Sequence, residues 1–183
     1  GNVFGAGSGN TTFETTGQVN NANVVIADDA YIQNNVFGGG NYGYTSQNAN
    51  VYVIGGTIGG SVFGGSNQKL GNVTNITMRD GTVTNNIYGG SNITGTVGGL
   101  ATVSVYGGTV TNVFGGGCGA ATIMNSGTVV NINGGTISNN VYGGGEEGKV
   151  NGNTNVTVSG GTMKDVYGAG KGNKSTSQTA DNR

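Results

Sequence analysis

The residues of this sequence that could perform acid–base chemistry are few, and their spacing does not bring them together. Eight acidic and seven basic residues stand among 183, and histidine is absent. Hydrolysis of a glycosidic bond needs two carboxyl groups that face the same bond. Asp28 and Asp29 are adjacent and would point to opposite faces of a strand, while Asp80 and Asp165 lie far apart in the chain. Neither pair predicts a catalytic site.

Three further signals for chemistry are weak. Glu146 and Glu147 share a segment with Lys149, a grouping that is typical of surface ion pairs. Cys118 is the single cysteine, and no histidine could activate it, so we interpret it as a small side chain in a tight turn. The glycine triplets lack the Gly-Lys-Ser context of a phosphate-binding loop. The sequence therefore predicts a protein that is not an enzyme and that uses no cofactor or bound metal.

The composition excludes several kinds of partner. Glycine accounts for 41 of the 183 residues, proline is absent and the formal net charge is −1. This balance offers neither a basic surface for nucleic acid nor a polybasic patch for anionic lipid. No apolar run approaches the ~20 residues of a membrane-spanning helix. We predict no nucleic-acid partner and no membrane insertion.

One short phrase recurs seven times along the chain. In "NNVYGGG" at 139–145 an aromatic residue stands between a valine and glycines. A second phrase, such as "GGTI" at 55–58, precedes it, and an alternating segment, such as "VYV" at 51–53, stands before that. Each unit therefore predicts three short β-strands separated by glycine corners. The aromatic position recurs at intervals of 25 to 33 residues and is filled by Phe4, Phe37, Phe63, Tyr88, Phe114, Tyr142 and Tyr167.

The repeat determines the predicted fold. Strands of three or four residues are not stable alone, but successive units can stack so that equivalent strands pair in parallel. We predict an all-β, parallel β-solenoid, right-handed and three-sided, with about six to seven rungs of 25–28 residues. Seven rungs at the inter-strand spacing give a rod on the order of 30 Å long. Residues 1–183 form one solenoid domain in this prediction, which we expect to be a fragment of a longer repeat protein.

The alternation also predicts which side chains face the core. Valine, isoleucine and methionine of the alternating strand should point inward, as should the Val or Ile before each aromatic residue. Because adjacent residues of a strand face opposite ways, the aromatic residues should point outward as a stacked stripe along one edge. The alternative is an inward stack with the tyrosine hydroxyls at its rim. An outward stripe would be a candidate contact surface, and Tyr42 and Tyr44 in the loop "NYGYTSQNAN" at 41–50 are further candidate contacts.

Asparagine, threonine and glycine are predicted to stabilise the corners. Glycines such as Gly38, Gly39 and Gly40 would allow positive φ angles there. Stacked rungs should align the amides into hydrogen-bonded ladders, from Asn34, Asn35, Asn86, Asn112, Asn139 and Asn140. A second ladder should form from Thr57, Thr82, Thr109, Thr136 and Thr162.

The "GGT[IV]" and "NV[FY]GGG" phrases, which extend from Val3 to about Gly170, resemble the repeat regions of large bacterial cell-surface and adhesin-like proteins with a parallel β-helix fold. This resemblance implies a surface or extracellular location and an adhesive or spacer role, without a particular ligand. It carries over no catalytic residue, because no matching motif is present.

Three functions remain open from the sequence. The first is a non-enzymatic structural or adhesive segment of a secreted or surface-attached bacterial protein, acting as a stiff rod or fibre-forming module. Its partners would be copies of itself, end to end or side by side, or glycans and a host surface. The second is a carbohydrate-binding or polysaccharide-active β-helix protein. The third is an ice-binding protein, which the threonine ladder suggests, although each rung offers one regular threonine.

Overall fold

The computed structural model describes residues 1–12 and 16–172, and within them every regular element is a β-strand. The sixteen strands are β1 Val3–Phe4, β2 Val19–Ile26, β3 Tyr31–Ile32, β4 Val36–Phe37, β5 Thr45–Ile58, β6 Val62–Phe63, β7 Gly71–Tyr88, β8 Thr94–Val97, β9 Ala101–Val105, β10 Thr109–Phe114, β11 Ala121–Met124, β12 Gly127–Ile137, β13 Val141–Tyr142, β14 Lys149–Val150, β15 Asn153–Thr162 and β16 Val166–Tyr167.

The strands form a parallel β-solenoid of about six turns, which confirms the predicted fold class. The first face pairs β2, β5, β7, β9, β12 and β15 in that order. The second face carries β3 and the later parts of β5, β7, β12 and β15, with the start of β10 between β7 and β12. The third face stacks β1, β4, β6, the end of β7, the end of β10, β13 and β16. Every pairing is parallel, so each rung lies directly over the one before it.

The core lies where the alternation places it. Val51, Val53 and Ile58 are fully buried, and the equivalent residues of the following rungs join them in one apolar cluster. Valines and isoleucines suit this site because branched side chains pack well on a pleated surface. The last rung is the exception: Val158 and Val166 are both 45% exposed, because no further rung covers them in the described residues.

The glycines at the corners do not have the backbone angles that were predicted for them. Gly38, Gly39 and Gly40 are not among the residues with positive φ, so the expectation that they turn the corner in this way is wrong. Positive φ instead occurs at the second glycine of the "GGT" phrase, with 76° at Gly56 and 79° at Gly108. This conformation strains any residue with a Cβ.

The sequence did not indicate a further column of strands in the loops, which joins the main sheet where β8 pairs with β7. β8, β11 and β14 pair in parallel beside the main coil. Val97 and Met124 are buried there, and Val150 packs against them. The loops after the third face are therefore ordered layers that stack from rung to rung.

Candidate functional site

The seven aromatic residues form one continuous stack, here called the aromatic column. Neighbouring rings have centroids 4.8–5.0 Å apart and interplanar angles of 4–11°. The register places Phe4 over Phe37, Phe37 over Phe63, and so on to Tyr142 over Tyr167. The separation is the spacing of hydrogen-bonded strands. The backbone ladder therefore dictates the stacking distance of the rings.

The prediction that these rings point out to solvent is wrong. Phe37 and Phe114 are 1% exposed, and Phe63, Tyr88 and Tyr142 are also buried. The alternation itself holds, because the preceding Val or Ile belongs to the main core and the ring belongs to a separate cluster. The reason is the loop that follows each ring: it covers the side of the third-face strand that points away from the main core. Cys118, in one such loop, packs against the rings.

The burial limits the aromatic column as a contact surface. A partner cannot reach the five middle rings unless the loops open. The two ends differ, since Phe4 is partly buried and Tyr167 is 45% exposed. The accessible ring in the last rung is therefore the part of the column that remains a candidate contact.

A polar cluster covers the rim of the aromatic column near its middle. The Tyr88 hydroxyl donates to Glu146 Oε2 at 2.5 Å and accepts from the Asn86 amide at 2.8 Å. The Cys118 Sγ lies 3.7 Å from the same carboxylate, and Lys171 Nζ donates to Oε1 at 2.7 Å. Glu146 and its three partners come from four successive rungs. One carboxylate therefore links the end of β7 with the loops of the three following rungs.

The protonation of this cluster follows from its surroundings. Burial raises the pKa of Tyr88 and of Cys118, so the hydroxyl and the thiol keep their protons. Burial alone would also raise the pKa of Glu146, but the hydrogen bonds from Lys171 and Tyr88 outweigh it and lower that pKa. An ionised carboxylate therefore accepts from the neutral Tyr88 hydroxyl and from the charged Lys171 ammonium. A protonated thiol is a poor nucleophile, which agrees with the structural role predicted for Cys118.

The predicted amide ladder is confirmed at Asn35, Asn86, Asn112 and Asn140 but not at Asn139, whose Oδ1 accepts from Lys164 Nζ, nor at Asn34, whose side chain bonds no other amide in the described residues. Asn112 Nδ2 donates to Asn86 Oδ1 at 2.9 Å, and the backbone N–H of Asn140 donates to Asn112 Oδ1 at 3.1 Å. Asn35 Oδ1 accepts from the N–H of Ser61 in the same way. Thr57, Thr82, Thr109, Thr136 and Thr162 are aligned by the strand register.

The two loop tyrosines predicted as contacts are half-buried. The Tyr42 hydroxyl accepts a hydrogen bond of 3.1 Å from Gln68 of the next rung, and Tyr44 is also partly covered. Their apolar faces are thus used in part by the fold. Both residues remain partly exposed and stay candidate contacts.

The structure reveals a more open aromatic surface on the first face. Tyr52 is 39% exposed between the buried Val51 and Val53, and Tyr106 is 48% exposed. The Arg79 guanidinium lies 5.1 Å from the centroid of the Tyr106 ring, within the range of a cation–π contact. Alternation in "VYV" already indicates that Tyr52 points outward. Arg79 and Tyr106 directly follow the aligned residues Met78 and Val105, so the repeat could have indicated that they are neighbours.

The carboxylates do not converge on one another in the described residues. Asp28 and Asp29 are both exposed at a corner of the first rung, and Asp80 and Asp165 lie three rungs apart. Across residues 1–12 and 16–172, no group of three or more His, Cys, Asp or Glu side chains could hold a metal ion. The same ranges contain no helix that could cross a membrane.

Searches against protein-family models, curated proteins and solved structures found no match for this chain. The fold itself defines the class of protein, which is a parallel β-solenoid repeat protein. Its two distinctive features are a covered aromatic column and an exposed first face that carries Tyr52, Arg79 and Tyr106.

Proposed function

We propose that the chain is a non-enzymatic structural or adhesive segment of a secreted or surface-attached bacterial protein. The observation that carries the proposal is that the rungs of the solenoid are stacked without a break. Backbone pairing, ring stacking and amide ladders each connect successive rungs from the first to the last. Every rung thus fixes the position of the next, which suits a stiff spacer.

The adhesive part of the proposal rests on the first face. Tyrosine and arginine are enriched where proteins contact partners, because they offer large, rigid surfaces and polar tips. Tyr52 and Tyr106 lie two rungs apart along the solenoid axis, and Tyr106 stands two residues beyond Ser104, which is aligned with Tyr52. The two positions are therefore about 12 Å from each other. Thr77 and Ser104, which are aligned with Tyr52, are neutral hydrogen-bonding groups, and Arg79 on the intervening rung adds a cation beside Tyr106. Such a surface suits a glycan, because the Arg79 guanidinium can also donate hydrogen bonds to neutral acceptors.

A panel of neutral polysaccharides tests this proposal. We expect the purified chain to be retarded in gels that contain a bound polysaccharide and to release no reducing sugar from it. The double variant Tyr52→Ser with Tyr106→Ser should lose the retardation, while Thr136→Ser on the second face should keep it. Release of sugar would show an enzyme and contradict the proposal.

The second candidate function is ice binding, and one structural observation favours it. The threonine column Thr57, Thr82, Thr109, Thr136 and Thr162 has a second hydroxyl column beside it, formed by Thr84, Thr111 and Ser138. The two columns flank inward residues such as Val83 and Val110. Paired, regularly spaced hydroxyls on one face can order water, although threonine pairs also stabilise sheets without any ligand. Thermal hysteresis that Thr109→Lys abolishes would support this function, and no hysteresis in the wild type would exclude it.

A further inference from the structure

The first face carries a single charged residue in the described part of the chain. The residues that pair across this face, up to Val53 and the residues aligned with it, are all uncharged. Arg79 stands one residue beyond that row and is exposed. The face therefore presents one positive charge among hydroxyl, amide and aromatic groups.

The backbone fixes Arg79 against Tyr106 of the next rung. The N–H of Tyr106 donates to the Met78 carbonyl at 2.8 Å, and a Cβ on Gly107 would lie under 3.0 Å from the Arg79 carbonyl. The Arg79 guanidinium lies 5.1 Å from the centroid of the Tyr106 ring, and this cation–π contact restricts the positions that the long side chain can take. The cation is therefore held in place in the free protein.

The charge of Arg79 has no carboxylate partner within the described residues. The ion pair that they contain joins Lys171 to Glu146. Asp80 is next to Arg79 in the chain, but its Oδ1 accepts from the N–H of Gly81 at 2.7 Å, so this carboxylate is held at the corner. The N–H groups of the guanidinium are therefore available to a ligand.

We propose that the first face binds a glycan that carries carboxylates, such as a polymer of uronic acids. This inference rests on the proposed function, because it names the class of glycan that the same surface takes. Charge complementarity selects the class: a guanidinium binds a carboxylate through two parallel N–H···O bonds. The exposed part of Tyr106 lies beside the guanidinium and offers an apolar surface to the sugar ring of the same unit.

The groups around Arg79 suit a sugar chain better than an acidic peptide. Tyr52, Thr77 and Ser104 stand in one row across successive rungs. Their hydroxyls both donate and accept hydrogen bonds, as the hydroxyls of a sugar do. A run of acidic side chains would instead need a cation at each step, and the described first face offers one.

Biolayer interferometry with immobilised polygalacturonate tests the proposal. The comparison ligand is the same polymer after its carboxyl groups have been reduced to alcohols, which removes the charge and keeps the sugar chain. We expect the wild type to bind the charged polymer about three- to tenfold more tightly, as for one partly exposed charged hydrogen-bond pair. This preference should shrink between about 0.01 M and about 1 M salt, because the Debye length falls from ~30 to ~3 Å.

Three variants assign the preference to Arg79. Arg79→Gln should bind the two polymers equally. Asp80→Asn should increase the preference, because it removes the opposing charge beside Arg79 while its amide oxygen can still accept from Gly81. The matched control Lys149→Gln removes an exposed cation from β14 in the loops and should keep the wild-type preference. All three side chains are exposed, so the variants should melt at the wild-type temperature.

Four results would overturn the proposal. They are equal binding of the two polymers by the wild type, an unchanged preference in Arg79→Gln, a loss in Lys149→Gln as large as in Arg79→Gln, and polyglutamate binding as tight as that of polygalacturonate. The last result would make the ligand an acidic peptide. Equal binding of the two polymers would leave the proposed function intact, since a glycan is still bound. Binding of neither polymer, together with no retardation by the neutral panel, would contradict both.

Discussion

A glycine follows each ring of the aromatic column. The tight packing around these glycines explains their presence better than a need for positive φ angles does. Gly115 shows the constraint: an added Cβ would meet the Gly143 carbonyl at under 3.0 Å and would also press on the Thr128 side chain. The Thr128 hydroxyl donates to that same carbonyl at 2.5 Å. The site therefore has no spare volume in any direction that a methyl group could take.

We expect Gly115→Ala to destabilise the protein by about 1–3 kcal/mol, the usual cost of overpacking a tight site. Urea denaturation followed by circular dichroism measures the change in the free energy of unfolding. Gly98→Ala is the control, because its Cβ would lie at ordinary contact distance from its neighbours. Equal stability of the two variants would show that the rungs can separate at little cost.

The Glu146 carboxylate should make stability depend on pH. The pKa of Glu146 is lowered in the folded protein from a usual value of 4.5, so the ionised group stabilises the fold above that value. This contribution is lost as the pH falls through the lower, folded pKa. We expect the wild type to be more stable than Glu146→Gln at neutral pH, with a difference that shrinks below about pH 4.5.

Thermal unfolding of both chains between pH 7 and pH 2.5 measures this difference. Glu147→Gln serves as the control, since Glu147 lies beside Glu146 and outside the hydrogen bonds to Tyr88 and Lys171. A gap between wild type and Glu146→Gln that stays constant with pH would show that the carboxylate charge has no role.

For individual residues, the sequence predicted which side chains pair between neighbouring rungs. It did not predict what else surrounds each side chain. The ladder from Asn86 to Asn112 follows from the repeat, because aligned positions become neighbours in a stacked coil. The contact between Tyr88 and Glu146 does not, since the two lie 58 residues apart and occupy non-equivalent positions. It depends on the path of one loop, and loop paths are not encoded by the repeat.

Among the elements, the strands of the third face are unusual for their length. β4, β6 and β13 have two residues each, too few to be stable as isolated strands. They persist because each is packed on both sides, with Val or Ile in the main core and the ring in the aromatic column. Burial on both faces of the strand thus replaces the length that a strand normally needs.

We expect Phe114→Ala to cost about 3–5 kcal/mol, the typical loss for a buried phenylalanine. Phe114 stacks between Tyr88 and Tyr142 at 5.0 and 4.8 Å. Tyr167→Ala should cost much less, because that ring is 45% exposed and has one ring neighbour. Urea midpoints of the two variants test the comparison, and similar losses would contradict the importance of two-sided stacking.

The elements also show where sequence reasoning succeeded. Alternation and glycine spacing predicted three strand segments per rung and the residues that face the core, such as Val51 and Val53. They did not predict β8, β11 and β14, whose loops differ in length and sequence from rung to rung. The outward direction assigned to the rings failed for a related reason: alternation gives the face of the strand, but not whether a loop covers that face.

In the whole molecule, each rung contacts its two neighbours, so stability should vary along the axis. Solenoids approximate a series of units joined by nearest-neighbour contacts. The last rung has one neighbour in the described residues, and its apolar side chains are exposed. It should therefore open locally more often than the middle rungs.

We expect amide hydrogen exchange to be fastest in β15 and β16 and slowest in β7 and β9. Hydrogen–deuterium exchange with mass spectrometry, at protein concentrations below any association, measures this gradient. The first rung serves as an internal comparison, because Val24 and Ile26 are 7% and 4% exposed although they also lie near an end. Uniform exchange along the chain would indicate a single cooperative unit instead.

The backbone hydrogen bonds run along the axis of the coil, and this direction determines how the protein responds to mechanical force. A pull along the axis loads the bonds of one rung boundary at a time, so rungs should peel off singly from an end. Each rung of about 26 residues would add roughly 90 Å of extended chain when it unfolds. A protein built in this way would yield in equal steps and absorb work at each one, which is useful to a tether that must hold under shear.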